Sequence, residues 1–278
     1  MKEAAIAAAF RAACAGELAA LKPGNVHVHA EGHGMTVNDF LRSADAAAAP
    51  LCRTGAPLGT RVLQAVAATR AAVGQNTNLG ILLLAAPLAM AAEQGTTVQA
   101  ILDQTNLADA DAVFRAIVLA APGGLGEAAE HDVRRPASVP LGRAMAEAAG
   151  RDSIARQYVT GFADVFAARD AYAAACRCWP PPWPASVVYL RFLAAGPDSH
   201  LLRRHHPAAA ASVQAVARMF ADRMAGCDAP AVLTPALRAW DAVLKRQGRN
   251  PGTSADLTVA AIFAASLPPS LRSAQDNA

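Results

Sequence analysis

Lysine is nearly missing from this chain of 278 residues: Lys2, Lys22 and Lys245 are the only three. A lysine inside a motif therefore carries weight. No basic run or basic–aromatic interleaving offers a face for nucleic acid. Cysteine is sparse and odd in number, at Cys14, Cys52, Cys176, Cys178 and Cys227. That count builds no disulfide framework and points to reduced thiols in a cytoplasm. Cys176 and Cys178 are too closely spaced for a zinc clip. Aromatics make up only 5% of the chain, and a strand-rich fold needs more aromatic and β-branched residues than this. Long hydrophobic runs are absent too. The longest, Gly80 to Ala92, covers about 13 residues, too few to cross a bilayer, and Glu3 and Arg11 interrupt the first alanine run as no signal-peptide core would be interrupted.

What the chain has is alanine, at 72 positions. With 54% hydrophobic residues and a net charge of +3, disorder is excluded on composition. Alanine is the strongest helix former and lets helices approach closely. The expectation is an all-α fold, a compact single-domain bundle of about ten helices over residues 1–270, with a frayed tail at 271–278. Small-residue helices also leave room for a homodimer face.

Apolar spacing predicts helices over 2–21, from 36 through Ala44, over 57–73, 79–92, 108–120, 138–149, 152–178, 184–195, 208–225, 235–247 and 254–266. Thr36 and Asp39 form a capping-box pattern. Polar and glycine-rich segments gather at the helix starts, where unpaired amides and the helix dipole favour anions. Lys22, Pro23 and Gly24 add a point charge on a fixed turn. Acidic groups near such starts would hold Mg²⁺ against phosphates.

Each segment also has a plainer reading. Asn76-Thr77-Asn78 is a natural helix cap, and Asn250 to Asp256 can be a turn with caps. His27, His29 and His33 have spacings that a metal would accept, but the intervening glycines leave them unaimed. Gly123-Gly124-x-Gly126 follows no strand, so it is no dinucleotide fingerprint. Asp198-Ser199-His200 cannot form a catalytic triad among neighbours on one turn, and Asp198 is better read as a cap after Pro197.

Taken in order, these segments resemble the triphosphoribosyl-dephospho-CoA synthase family. The matching stretches are Glu17 with Lys22-Pro23-Gly24-Asn25-Val26, then Gly32-His33-Gly34-Met35 leading to Asp39-Phe40, then Asn76-Thr77-Asn78-Leu79-Gly80. Pro197 to His200 with Arg203-Arg204-His205, and Gly252 to Leu257, complete the set. The resemblance implies an all-α pentosyltransferase in which a ribose hydroxyl of dephospho-CoA displaces adenine from C1′ of ATP. It implies Glu17, His33, Asp198, His200 and Asp256 as the catalytic group. Lys22, Gly24, Asn25, Asn76, Thr77, Asn78, Gly80, Arg203 and Ser254 would bind the nucleotide, and Asp132, Asp198 and Asp256 would bind Mg²⁺.

Two departures stand out. Asn78-Leu79 occupies the place of a histidine–lysine pair in better-known members, and Gly34-Met35 lacks an aspartate found there. These features resemble a divergent branch of archaea and methyl-oxidising bacteria, so three other readings stay open. One is an ATP-dependent transferase or ligase acting on a one-carbon carrier cofactor precursor of the tetrahydromethanopterin or methanofuran type. The second is a nucleotide-binding protein without turnover. The third is a metal-dependent hydrolase built on the three histidines.

Overall fold

Two helices buried on nearly every side organise the chain. A computed structural model describes residues 1–126 and 130–272. Within them run fourteen α-helices: α1 (Glu3–Ala19), α2 (Val37–Cys52), α3 (Leu58–Val73), α4 (Leu79–Gln94), α5 (Val98–Asp103), α6 (Leu107–Ala120), α7 (Leu141–Ala148), α8 (Ser153–Val159), α9 (Ala163–Cys178), α10 (Trp183–Ala195), α11 (Ser199–Arg204), α12 (Pro207–Ala225), α13 (Thr234–Arg246) and α14 (Gly252–Ala265). The fold is all-α, and the described residues hold no β-strand. Residues 79–92 of α4 and 259–265 of α14 are apolar all round, which only a central position allows. Leu82, Leu84, Ala85, Ala86 and Leu88 of α4 are fully buried, as are Ala261 and Phe263 of α14. Phe10 of α1 meets Phe263 edge to face, with ring centroids 5.8 Å apart.

One apolar cluster joins α1 to α9 with α14, and a second joins α10 to α13. Ala255 of α14 belongs to the second cluster while Leu257 belongs to the first, so α14 runs between them. Pro87 inside α4 leaves the carbonyl of Leu83 without its usual helical donor. The buried Tyr158 hydroxyl supplies one at 2.6 Å, which ties α8 to α4.

Three differences from the sequence pattern raise the helix number. The short helices α5 and α11 carry too few residues to show a period. The helix expected over 152–178 is two, because Gly161 and Phe162 both take left-handed backbone (φ 59° and 66°) and Phe162 buries its ring in the core. The chain near the C-terminus stays packed as far as Leu271, which is buried. Most of the expected tail, 273–278, lies outside the described residues, as do 127–129 of the glycine-rich loop. No helix among the described residues is long and apolar enough to cross a membrane.

Candidate active site

The polar segments converge on one cavity of about 950 Å³. Its walls come from the end of α1, the loop before α2, the turn between α3 and α4, α6 to α8, α11 and the start of α14. Eleven of the expected residues line it: Glu17, Asn25, His33, Asn76, Thr77, Asn78, Gly80, Asp132, His200, Arg203 and Asp256. A volume of this size sits at the upper end for small-molecule sites and suits two substrates.

Four expected residues do not line it, and each has a physical reason. Lys22 is completely buried, ion-paired to Glu17, and donates to Asn25 Oδ1 at 2.9 Å. It sits behind the wall as the counter-charge of Glu17 and leaves no ammonium free for phosphate. Burial pushes Glu17 up and Lys22 down, and their mutual attraction works against both shifts. Gly24 turns the chain at φ 86°, where a Cβ would meet the Arg249 carbonyl oxygen at 2.9 Å. Its N–H donates to Asp241 Oδ1 at 2.8 Å and its carbonyl accepts from His33.

Asp198 is the third. Its Oδ1 accepts the N–H groups of His200 (2.9 Å) and Leu201 (3.1 Å), and its Oδ2 accepts the N–H (2.7 Å) and hydroxyl (2.8 Å) of Ser254. Burial raises its pKa while these donors hold it back. Both oxygens are saturated, so Asp198 is a buried clasp between α11 and α14 with nothing left for a metal or a reacting atom. Ser254, the fourth, is the other half of that clasp.

The asparagine–threonine turn does two jobs. Asn76 Oδ1 accepts the Leu79 N–H at 3.1 Å and so caps α4. Thr77 donates to Ser43 of α2 at 2.6 Å, and Asn78 donates to Thr69 of α3 at 3.1 Å. These bonds fix the α4 entrance against two helices while the residues face the cavity. The Thr36–Asp39 capping box forms as its pattern predicts.

Asp256 differs from the other carboxylates. It is half-buried on the wall and has no hydrogen bond from any described residue. Burial, then Glu17 and Asp198, push its pKa well above the ordinary value. An ideal Cβ on Gly80 would stand 2.1 Å from its Oδ2, so only glycine lets this carboxylate lie over the first turn of α4.

His33, His131, His200 and His205 line the cavity, and His33 and His200 have distinct chemistry. His33 Nε2 lies 2.7 Å from the Gly24 carbonyl oxygen. That nitrogen must donate, which leaves Nδ1 as the position for substrate. Burial, then Arg203 and Arg204, push His200 down to about 4, so its imidazole is neutral at neutral pH. His27 and His29, the other two members of the candidate trio, do not line the cavity. His27 is buried, accepts the His29 N–H at Nδ1 (3.2 Å) and faces Asp241 through Nε2 at 3.4 Å. Among the described residues, no three His, Cys, Asp or Glu side chains converge on a metal position, so the three-histidine hydrolase reading has no geometry behind it.

The sequence pattern misses four wall residues. Asp152 caps α8 through Oδ1 and pairs with Arg203 through Oδ2. Arg204 stacks its guanidinium against Gly123, where a Cβ would meet Nη1 at 2.3 Å. It stands inside a matching stretch and was legible there. Arg70 of α3 and Arg151 after α7 also line the cavity, and no motif marks either.

Comparison with known proteins gives a consistent result. No curated protein matches the chain. A crystal structure from Archaeoglobus fulgidus, provisionally named a triphosphoribosyl-dephospho-CoA synthase, superposes with a TM-score of 0.64 at 21% identity. The match covers 81% of this chain and 97% of that one, and at this identity it shows a shared fold. The family model for ATP:dephospho-CoA triphosphoribosyl transferase, CitG, matches residues 3–274. The one-carbon cofactor reading gains nothing from either finding. With that model spanning nearly its whole length, the chain belongs to the ATP:dephospho-CoA triphosphoribosyl transferase family of transferase enzymes.

Proposed function

We propose that the cavity binds ATP and dephospho-CoA together and transfers the triphosphoribosyl group between them. One observation carries the reading: Glu17, Asn76 to Gly80, His200, Arg203 and Asp256, dispersed over 240 positions of sequence, line a single cavity. In the reaction a ribose hydroxyl of the acceptor forms a bond to C1′ of ATP. The C1′–N9 bond breaks, its electron pair goes to the purine, and the hydroxyl proton is passed on while adenine takes one up. The triphosphate stays on the transferred sugar.

The residues divide this work by environment. C1′ gains positive charge as adenine leaves, and a fixed carboxylate in a poorly hydrated wall stabilises it. Glu17, held in place by its pairing with Lys22, fits that role. His200, neutral and unprotonated, takes the acceptor hydroxyl proton. His33 hydrogen-bonds the departing purine through Nδ1. Arg203 and Arg204 on α11, with the amides opening α4, face the phosphates.

Magnesium fits the donor set. This cation keeps several waters and takes one or two carboxylates alongside phosphate oxygens, so it needs no cage of three side chains. Asp256 offers a hard oxygen donor on the wall, and Asp132, ion-paired to Arg134, lines it as well, whereas Asp198 has both oxygens saturated. When bound, the ion neutralises phosphate charge. The free thiols of the described chain suit a reducing cytoplasm.

The direct test is incubation of the protein with ATP, Mg²⁺ and dephospho-CoA, with adenine followed by chromatography. Adenine release that depends on dephospho-CoA supports the reading. Release of ADP or AMP in its place overturns it.

A further inference from the structure

Four arginines line the cavity, and one of them is unlike the rest. Arg151, Arg203 and Arg204 are exposed. Arg151 donates to the Glu147 carbonyl at 2.9 Å, and Arg203 pairs with Asp152. Arg70 is half-buried, yet its guanidinium makes no hydrogen bond or ion pair with any described residue. A guanidinium taken partly out of water without a counter-charge is unfavourable. The C-terminal end of α3 eases that cost in part, and a ligand that supplies an anion would relieve the rest.

The position of Arg70 says which anion. It stands in the last turn of α3, which ends at Gly74. The chain then runs along the same wall through Gln75, Asn76, Thr77 and Asn78 to Gly80, against which Asp256 lies. The donor nucleotide carries its phosphates on the same ribose whose C1′ reacts, so they extend along the wall adjoining that centre. The acceptor's ribose presents a hydroxyl there and carries a diphosphate of its own, so titration with dephospho-CoA is needed to tell the two phosphate sources apart. Of the two cations the sequence expects at the nucleotide, Lys22 is spent on Glu17 and Arg203 is paired with Asp152.

We propose that Arg70 grips the terminal phosphate of the bound nucleoside triphosphate through its two-pronged guanidinium. This rests on the transferase reading for the identity of the donor, but not for the presence of an anion site. A fork of donors at fixed spacing matches two phosphate oxygens in a way that a lysine does not.

The test is calorimetric titration of the full-length protein with tripolyphosphate, ATP, ADP and dephospho-CoA, using wild type, Arg70→Ala and Arg70→Lys. Melting curves and circular dichroism confirm that each variant is folded. The expected result for Arg70→Ala is affinity for tripolyphosphate and ATP about 10- to 100-fold weaker. ADP should change by less than threefold, and dephospho-CoA should not change. Arg70→Lys should recover part of the loss. Unchanged ATP affinity in Arg70→Ala, equal losses for ATP and ADP, or a loss confined to dephospho-CoA would each overturn the assignment. Should Arg70→Ala fail to fold, the same comparison is read from Arg70→Lys and Arg70→Gln. If wild type binds tripolyphosphate through Arg70 but never releases adenine, the transferase reading fails and the anion site stands. If adenine is released normally but Arg70 is indifferent to phosphate, the reverse holds.

Discussion

The carboxylate of Asp256 occupies the space that a side chain on Gly80 would need, with Oδ2 only 2.1 Å from an ideal Cβ there. The same Cβ would stand 2.7 Å from Ile154 Cδ1. Gly80 is therefore retained in the first turn of α4 against its helix propensity, which disfavours glycine by about 1 kcal/mol relative to alanine. Gly80→Ala should gain that propensity and lose it again to the clash, for a net stability change within about 2 kcal/mol. The carboxylate, as the far end of a flexible side chain, is what moves. Because displacement of a reacting group by about 1 Å costs on the order of 100-fold, adenine release should fall by roughly 10- to 100-fold while the melting temperature changes little. Normal turnover in a folded Gly80→Ala protein would show that the position of Asp256 is immaterial.

Lys22 and Glu17 form a buried ion pair, and the pair predicts a pattern in a double-mutant cycle. Breaking such a pair by removing one partner costs about 3–5 kcal/mol, because the other charge is left buried alone. Lys22→Met should be destabilised by that order. Glu17→Gln in the same background should recover a good part of it, since no ion then remains. Urea unfolding of the wild type, the two single variants and the double variant measures the coupling. Additive effects would mean that the two groups are not paired in solution. Adenine release should be lost in both variants that lack the Glu17 carboxylate, whatever their stability.

This pair also marks what sequence alone can and cannot reveal. The helices were legible wherever the apolar period ran three turns or more, as in α1, α3 and α4, and wherever a glycine or capping residue closed them. The break at Gly161–Phe162 was not, because a buried phenylalanine in left-handed backbone is imposed by its tertiary surroundings. Motifs located the site's walls but not the direction of their side chains. Asp198 and Asp256 lie in equally suggestive contexts. One is saturated by four donors and the other has none, and only the approach of α11 to α14 decides which. Arg70 carried no signal, since one arginine among many at a helix end is ordinary until the wall beside it is seen.

The contrast between those two aspartates gives a third prediction. Asp198 joins the α11 cap to the α14 start, so Asp198→Ala removes a cap worth about 1 kcal/mol and orphans a buried serine hydroxyl and N–H at about 1–3 kcal/mol more. Its phenotype should be instability, seen as a lowered urea midpoint, with the surviving folded fraction still releasing adenine when assayed well below that midpoint. Asp256→Asn should do the opposite. It keeps the melting temperature within a few degrees, or raises it by relieving an unpaired carboxylate, and lowers adenine release by 100-fold or more. Its requirement for Mg²⁺ should move to higher concentration, as loss of one carboxylate ligand demands. Stable, inactive Asp198→Ala protein would reverse the two assignments.

His200 supplies the pH dependence. Its folded pKa is pushed down to about 4 by burial and by Arg203 and Arg204, against an ordinary value near 6.5. As pH falls through about 6.5 the unfolded chain takes up a proton that the folded chain refuses, so the neutral imidazole works against folding progressively between about pH 6.5 and 4. Below that the loss levels off, because both states are then protonated. Urea unfolding at pH 7.5 and 5 should therefore show a larger drop for the wild type than for His200→Gln, whose side chain does not titrate. Polyphosphate supplies the complementary test. Anionic oxygens beside Arg203 and Arg204 cancel much of the charge that holds the imidazolium off, so the His200 resonance in an NMR titration should move toward its ordinary pKa when tripolyphosphate is added. A resonance that titrates near 6.5 in the free protein, or one that ignores tripolyphosphate, would remove His200 from the neighbourhood of the phosphates and from the role of neutral base.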